Sequence, residues 1–404
     1  MKKKVKKLKT HSPIAIAGKE ASGKIPTQIT GKSLYFHIPF CKKKCPYCHF
    51  YSLPYTSELK NKFLNYLHIE WDLIKEEIGN KIVSIYFGGG TPALLEKDLE
   101  QILDWIGSID SSCEITLEAN PESITKSSLH TFRNLGINRL SLGVQSFDDH
   151  LLTILGRRHS AKSALRAIHW ADDAGFDNLS IDLMFDIPGQ TMESWEQTLA
   201  MIKDLPITHL SLYNLVFELN TLFYRRKKRL FPLLPKDSLS IEMWEVAVDF
   251  FSSISLERYE ISAFAKKGFY SRHNTGYWIG RPFFGLGPSA FSYVNGKRFQ
   301  NTPHLEHYCQ SLQEKKLPIS FEETLFYPKN VTELLAVELR LIQGVMINLF
   351  QEKHGKLPNE TLQILQQLEK KELLEKKEDA YRLSKKGLLF YDTVAADLLY
   401  TDES

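Results

Sequence analysis

The chain has 404 residues, 43% hydrophobic and 25% charged, with 51 Lys and Arg against 48 Asp and Glu, the composition of an ordinary globular protein of two or three domains. Its net charge of +3 is small, and six of the first nine residues are lysine, so the body gives no sign of a nucleic-acid-binding surface. No stretch is apolar over the length of a membrane span, and five cysteines do not resemble a secreted disulfide framework, which predicts a cytoplasmic protein with reduced thiols.

Residues 1–32 read as a disordered basic tail with at most weak attraction to a membrane surface. SLYFHI (33–38) is the first expected strand. The helix over 57–78 follows, with Phe63, Leu64, Leu67, Trp71, Ile74 and Ile78 at helical spacing. IVSIYF (82–87), EITLEA (114–119), RLSLGV (139–144), NLSIDLMF (178–185) and HLSLYNL (209–215) are further strands. Helices are expected between them over 97–106, 160–175 and 192–205, and over 123–136, where Ser123 is the expected cap and Gly136 the terminator.

Near-continuous apolar strands alternating with helices predict a parallel sheet in an α/β fold. Six such units over residues 33–217 fall short of the eight of a closed barrel, so a partial (βα)6 barrel is expected. After 217 the rhythm breaks. YRRKKRLFPLLP is a basic connector, 238–253 an amphipathic helix around Trp244, and 272–299 an aromatic, glycine-rich stretch with hairpin-like strands. Residues 218–329 are thus expected as an α+β extension, and 330–404 as charged helices with a short two-stranded element, resembling a winged-helix module.

FHIPFCKKKCPYCHF (36–50) places Cys41, Cys45 and Cys48 on the loop after the first strand, with Phe50 where a fourth cysteine would be useful. A structural zinc site wants four ligands, and His49 directly beside Cys48 is awkward for one tetrahedron. Cys113 and Cys309 lie on unrelated elements. An iron–sulfur cluster uses thiolates at this density, and three protein ligands leave one iron of four open to an exchangeable ligand. Zinc and plain structural thiols remain the alternatives. The loop after the second strand is GGGTP (88–92), whose glycines let backbone approach a small charged ligand. Both loops end strands on the side where parallel sheets bind ligands.

A strand followed by C-x3-C-x2-C and then GGG resembles the radical S-adenosylmethionine superfamily. The longer series YFHIPFCKKKCPYC, GGGTPALL, LEANPES, SLGVQSF, LGRRHS and IDLMFDIPGQT is similar to its oxygen-independent coproporphyrinogen III oxidase-like family. The resemblance implies a [4Fe-4S] cluster on Cys41, Cys45 and Cys48, with S-adenosyl-L-methionine at the open iron. It implies Tyr35 and Tyr47 beside that ligand, and Gly89, Gly90 and Thr91 at its methionyl part. Glu118, Gln145 and Arg157 match polar contacts, with Arg158 next door as a competing arginine. Val216 matches a backbone contact, and Asp182 is a lone acid in an apolar strand, costly without partners.

Within this family the oxidases have a further cysteine where this chain has Phe50, and the heme-chaperone branch has an aromatic. HNTGYW (273–278) is similar to the H-N-x-x-Y-W stretch of that branch, implying His273 as an axial heme ligand with Tyr277 and Trp278 against the macrocycle. The relatives usually have a histidine after GLGPSA, where this chain has Phe291, which removes a second candidate. The expected function is a heme carrier with an acceptor protein, an electron donor to the cluster and no assigned catalytic residue. The alternative is decarboxylation of coproporphyrinogen III.

Overall fold

The computed structural model describes residues 30–399. Residues 1–29 of the expected tail lie outside them, and Lys32 already opens the first strand. Strands β1 (Lys32–Ile38), β2 (Ile82–Gly89), β3 (Glu114–Ala119), β4 (Arg139–Gln145), β5 (Asn178–Phe185) and β6 (His209–Asn214) pair in chain order, all parallel. Their residues are buried almost throughout, as a sheet covered by helices requires.

The helices follow from their caps and faces. Helix α1 (Ser57–Ile78) starts at Thr56, whose side chain accepts from the amide of Leu59, and it buries the predicted apolar stripe. That stripe also carries one carboxylate, Glu70. Ser160 and Thr191 cap the helices Ala161–Asp173 and Met192–Ile202 through reciprocal bonds with Ser163 and Ser194. Thr125, not Ser123, caps Lys126–Asn134, because Ser123 is held in a turn by the backbone of Asn120.

Beyond β6 the sheet continues on both sides. Strands β7 (Glu257–Arg258), β8 (Ala263–Ala265), β9 (Phe283–Leu286), β10 (Phe291–Val294), β11 (Lys297–Asn301) and β12 (Ile319–Thr324) complete a twelve-stranded order β12-β11-β10-β9-β1-β2-β3-β4-β5-β6-β8-β7. The sheet stays open, as expected, because β6 is followed by the antiparallel β8. β9 instead returns beside β1, in parallel, with Ser33 opposite Phe283.

The expectation of hairpin strands across 272–299 holds only for its second part. Arg272–Trp278 is a helix. Its first amides, of Arg272 and His273, donate to the Glu114 carboxylate at 2.9 and 3.0 Å, which satisfies donors that a helix start leaves open and favours its dipole. Because Glu114 begins β3, the helix closes the amino end of the sheet's interior.

Residues 329–398 have their own core, centred on Val331, Leu335, Phe350, Leu365, Leu368 and Val394. Helices there surround a small sheet in which Val345–Met346 and Leu374–Lys377 both flank Ala380–Leu383, one strand more than expected. No helix among the described residues is long and apolar enough to cross a membrane.

Candidate functional site

A cavity of about 460 Å3 opens at the carboxyl ends of the parallel strands. Cys41, Cys45, Cys48 and Tyr47 form one wall, Gly89, Gly90, Glu118 and Gln145 another, and Arg157, Asp182 and Val216 complete it. Eleven residues expected at one site from scattered stretches of sequence therefore meet in one place. Thr91 sits just behind, buried, with its hydroxyl 3.7 Å from the Cys41 sulfur. Tyr35 faces a neighbouring cavity instead, and His273 lines neither.

The cysteine loop is held from both sides. The Cys48 amide donates to the Cys45 carbonyl at 3.1 Å, and the Phe223 amide to the Pro46 carbonyl at 3.1 Å. Arg157 places a guanidinium nitrogen 3.6 Å from the Cys45 sulfur while donating to Asn120 and to the Gly143 carbonyl. Burial pushes the Cys41 thiol up and the Cys48 thiol to about 11. A metal deprotonates coordinating thiols outright, so the donor set of three thiols beside a guanidinium fits an iron–sulfur cluster. Among the described residues no three Cys, His, Asp or Glu side chains are grouped as one metal ion needs them. Cys113 and Cys309 lie buried elsewhere, their thiols pushed up to about 12 and about 11 by burial.

Two carboxylates face the same cavity. Glu118 accepts from the Tyr86 hydroxyl at 2.7 Å and the Gly89 amide at 3.3 Å, and Asp182 accepts from Ser141 at 3.5 Å. Burial raises Glu118 to about 7 and Asp182 to about 6, so both gain from a cationic partner. Gln145 reaches the cavity through a register shift after Gly143, which leaves it with a φ of 70°. Such a strained residue marks functional walls more often than structural ones.

The glycine run has a local reason to be glycine. A Cβ on Gly89, at φ 108°, would stand 2.7 Å from the His37 ring, and one on Gly90 would stand 2.6 Å from the Phe40 carbonyl oxygen. The run thus packs against the end of β1, with the Gly90 and Thr91 amides bonded to Ile38 and Phe40. Asn120, which links Arg157 to Thr91 at 3.0 Å, escaped the sequence reading. It lies two residues after Glu118, in the same LEANP stretch.

A second cavity, about 910 Å3, adjoins the first, and His49 and Phe50 line both. Tyr35, Tyr51, Tyr277, Trp278, Phe283 and Tyr293 form its walls, with Arg281 and Arg298 among them. Phe50, Phe291 and Phe321 are its solvent-exposed aromatics, at 53%, 47% and 43%. His37 lies between Tyr35 (3.1 Å from Nδ1) and the Tyr51 carbonyl (3.0 Å from Nε2). A carbonyl only accepts, so His37 carries its proton on Nε2 and receives the Tyr35 hydroxyl at Nδ1.

His273 is buried behind this cavity. Its Nδ1 lies 3.0 Å from the Ser84 hydroxyl and its Nε2 lies 2.8 Å from the Tyr277 hydroxyl. Ser84 donates to Ser33 at 2.9 Å, so the ring donates through Nδ1 and accepts from Tyr277 at Nε2. Burial lowers His273 to about 3, which keeps it neutral. Tyr277 and Trp278, from the same HNTGYW stretch, reach the cavity wall.

A family model of the radical SAM superfamily matches residues 35–202, and one of the HemN C-terminal domain matches residues 329–390. The chain is 34% identical over 370 residues to the heme chaperone HemW of Bacillus subtilis (strain 168), covering 90% of this chain and 98% of the relative. It is 31% identical to the mitochondrial radical S-adenosyl methionine domain-containing protein 1 of Danio rerio, with 94% and 89% covered. In structure it is similar to the coproporphyrinogen III oxidase HemN of Escherichia coli, a radical SAM enzyme, with a TM-score of 0.79 over 93% of this chain and 91% of that one. At 22% identity this is a likeness of fold.

Proposed function

The chain belongs to the radical SAM superfamily and within it to the family of the heme chaperone HemW, and from that premise we propose that it binds heme and passes it to an acceptor protein. The observation that carries the reading is the aromatic cavity of about 910 Å3 sharing its His49–Phe50 wall with the cysteine cavity. Its volume lies at the upper end of ligand sites, roughly 300–1,000 Å3. Flat aromatic faces suit a macrocycle, and the cationic Arg281 in the wall suits its propionates. The exposed Phe50, Phe291 and Phe321 offer an acceptor a way to reach bound heme.

On this reading Cys41, Cys45 and Cys48 hold the [4Fe-4S] cluster, and S-adenosyl-L-methionine occupies the smaller cavity. The cluster supplies one-electron chemistry when bound. Glu118 and Asp182 balance the ligand's ammonium and sulfonium charge, and Arg157 and Asn120 hold the wall beside Cys45. The hydrogen bonds at both ring nitrogens of His273 support a role in fixing Tyr277 against the macrocycle. Direct ligation of heme iron through His273 Nε2 requires the Tyr277 bond to break, while Nδ1 keeps its bond to Ser84.

Anaerobically reconstituted protein should take up about one heme per chain and leave coproporphyrinogen III unchanged. Tyr277→Ala with Trp278→Ala should weaken heme binding by roughly tenfold or more at constant cluster iron, whereas Cys48→Ala should lose the iron. Undiminished heme affinity in the double variant, or decarboxylated product, would sink the reading.

A further inference from the structure

Residues 216–236 follow β6 and hold a run of cations that lines neither cavity. Leu222–Arg225 and Lys227–Leu230 are single helical turns, followed by a tight turn over Phe231–Leu233. The segment is rigidly seated. Phe223 is buried against Tyr47 and Phe217, the Phe223 amide bonds Pro46 of the cysteine loop, and the Leu233 carbonyl accepts from the Gly189 amide at 2.7 Å.

Its outer side is apolar and basic together. Leu219 is 64% exposed, Val216 58%, Leu233 53%, Phe231 52% and Leu222 45%. Arg225, Arg226, Lys228, Arg229 and Lys236 are exposed among them, against the two acids Glu218 and Asp237. None of Arg225, Arg226, Lys228 and Arg229 forms an ion pair among the described residues. Well-anchored backbone, large apolar side chains in water and unpaired cations within one short segment call for an occupant.

We propose that residues 216–236 are a docking element for an anionic lipid surface. In such a surface the leucines and Phe231 enter the headgroup boundary while the arginines and lysines meet lipid phosphates. A second copy of the chain does not fit, because a two-fold contact through this patch sets the RRKKR runs against each other. A nucleic acid strand satisfies the cations and leaves Val216, Leu219, Leu222 and Leu233 in water, with Phe231 the one exposed ring for stacking. The lipid surface satisfies both halves of the pattern. Val216 and Glu218 also line the smaller cavity, so docking turns the mouth of that cavity toward the bilayer. The inference stands without the heme reading.

The test is flotation of the full chain with vesicles of phosphatidylcholine alone or mixed with phosphatidylglycerol, at low and high salt. Floating only with the anionic vesicles, and less at high salt, is expected. Arg225→Glu, Arg226→Glu, Lys228→Glu and Arg229→Glu together, with the lysine-rich tail intact, should lower the partition coefficient roughly a hundredfold or more. Leu219→Ser with Phe231→Ser should remove the salt-resistant part of the binding, by about tenfold. These side chains are exposed, and unchanged circular dichroism and iron content verify the fold. Equal flotation with neutral vesicles, full binding by the charge-reversed variant, or no binding to either vesicle would overturn the proposal. So would self-association that needs Leu219 and Phe231. Equal binding of polyglutamate, indifferent to the leucines, would assign the patch to an acidic protein instead.

Discussion

At Glu70, burial and hydrogen bonding pull in opposite directions. The carboxylate sits in the apolar stripe of α1 and accepts from the Tyr308 hydroxyl at 2.5 Å, the Asn301 side-chain amide at 2.5 Å and the Gly287 amide at 2.8 Å. Burial outweighs those donors and raises the group from 4.5 to about 7. A folded state that binds its proton more tightly than the unfolded chain is most stable below the unfolded value and loses stability as pH rises toward the folded one. Relative to wild type, Glu70→Gln should therefore gain on the order of 3 kcal/mol between pH 4.5 and 7, read from denaturant midpoints across that range. A difference independent of pH would show that Glu70 is ionised throughout. The same residue explains a limit of sequence reading. Its partners stand 217 to 238 positions away, and helical periodicity counts Glu70 only as a polar interruption.

The cysteine loop depends on the element beside it. Gly156, at φ 69°, ends the short helix Asp149–Ile154, and a Cβ there would stand 2.5 Å from Pro46 Cδ. Gly156→Ala should strain the backbone by about 1–3 kcal/mol and push Pro46 outward, so that reconstituted protein loses iron faster. Gly175→Ala is the control, since it shares a φ of 84° but meets nothing within 4 Å. It should cost stability and spare the iron. Equal iron loss in both would place the effect in global stability. At this scale the sequence is most informative where apolar runs are long. The spans Ser57–Ile78, Glu114–Ala119 and Asn178–Phe185 match their expected boundaries to the residue. Asp149–Ile154 went unread because six residues are too few to show a period. The helix Arg272–Trp278 was hidden by a glycine and clustered aromatics, and it forms because Glu114 receives its first amides.

Across the whole molecule, the larger cavity is bounded by two bodies of the chain. Arg298 on β11 joins them, bonding Glu333 of the helix Lys329–Glu338 at 2.8 Å and Glu323 of β12 at 2.6 Å. Each pair is half-exposed and worth about 1 kcal/mol or less, so Arg298→Ala should leave the melting temperature nearly unchanged. It should speed amide exchange over residues 329–338 and quicken both entry and loss of heme. Unaltered exchange there would show that the apolar packing of that helix alone fixes the wall. Sequence periodicity does not show what joins them, since charge pairs and four-residue strands leave no periodic trace.

The return of β9 beside β1 also bears on how the polypeptide is made. As the ribosome releases the chain, β1 emerges first and gains β2 soon after, yet its other edge waits for residues 283–286. The plug Arg272–Trp278 that covers Glu114 arrives in the same late stretch. Pairings so distant along the chain form slowly, and an unpaired strand edge is a site for aggregation. A fragment ending at residue 217 should therefore be insoluble or readily cleaved by protease beside β1, whereas extension through residue 301 should suppress both. During synthesis, the nascent protein spends the time needed to translate some 200 residues with its first strand open to other chains, which makes it a natural client for chaperones that bind exposed strand edges.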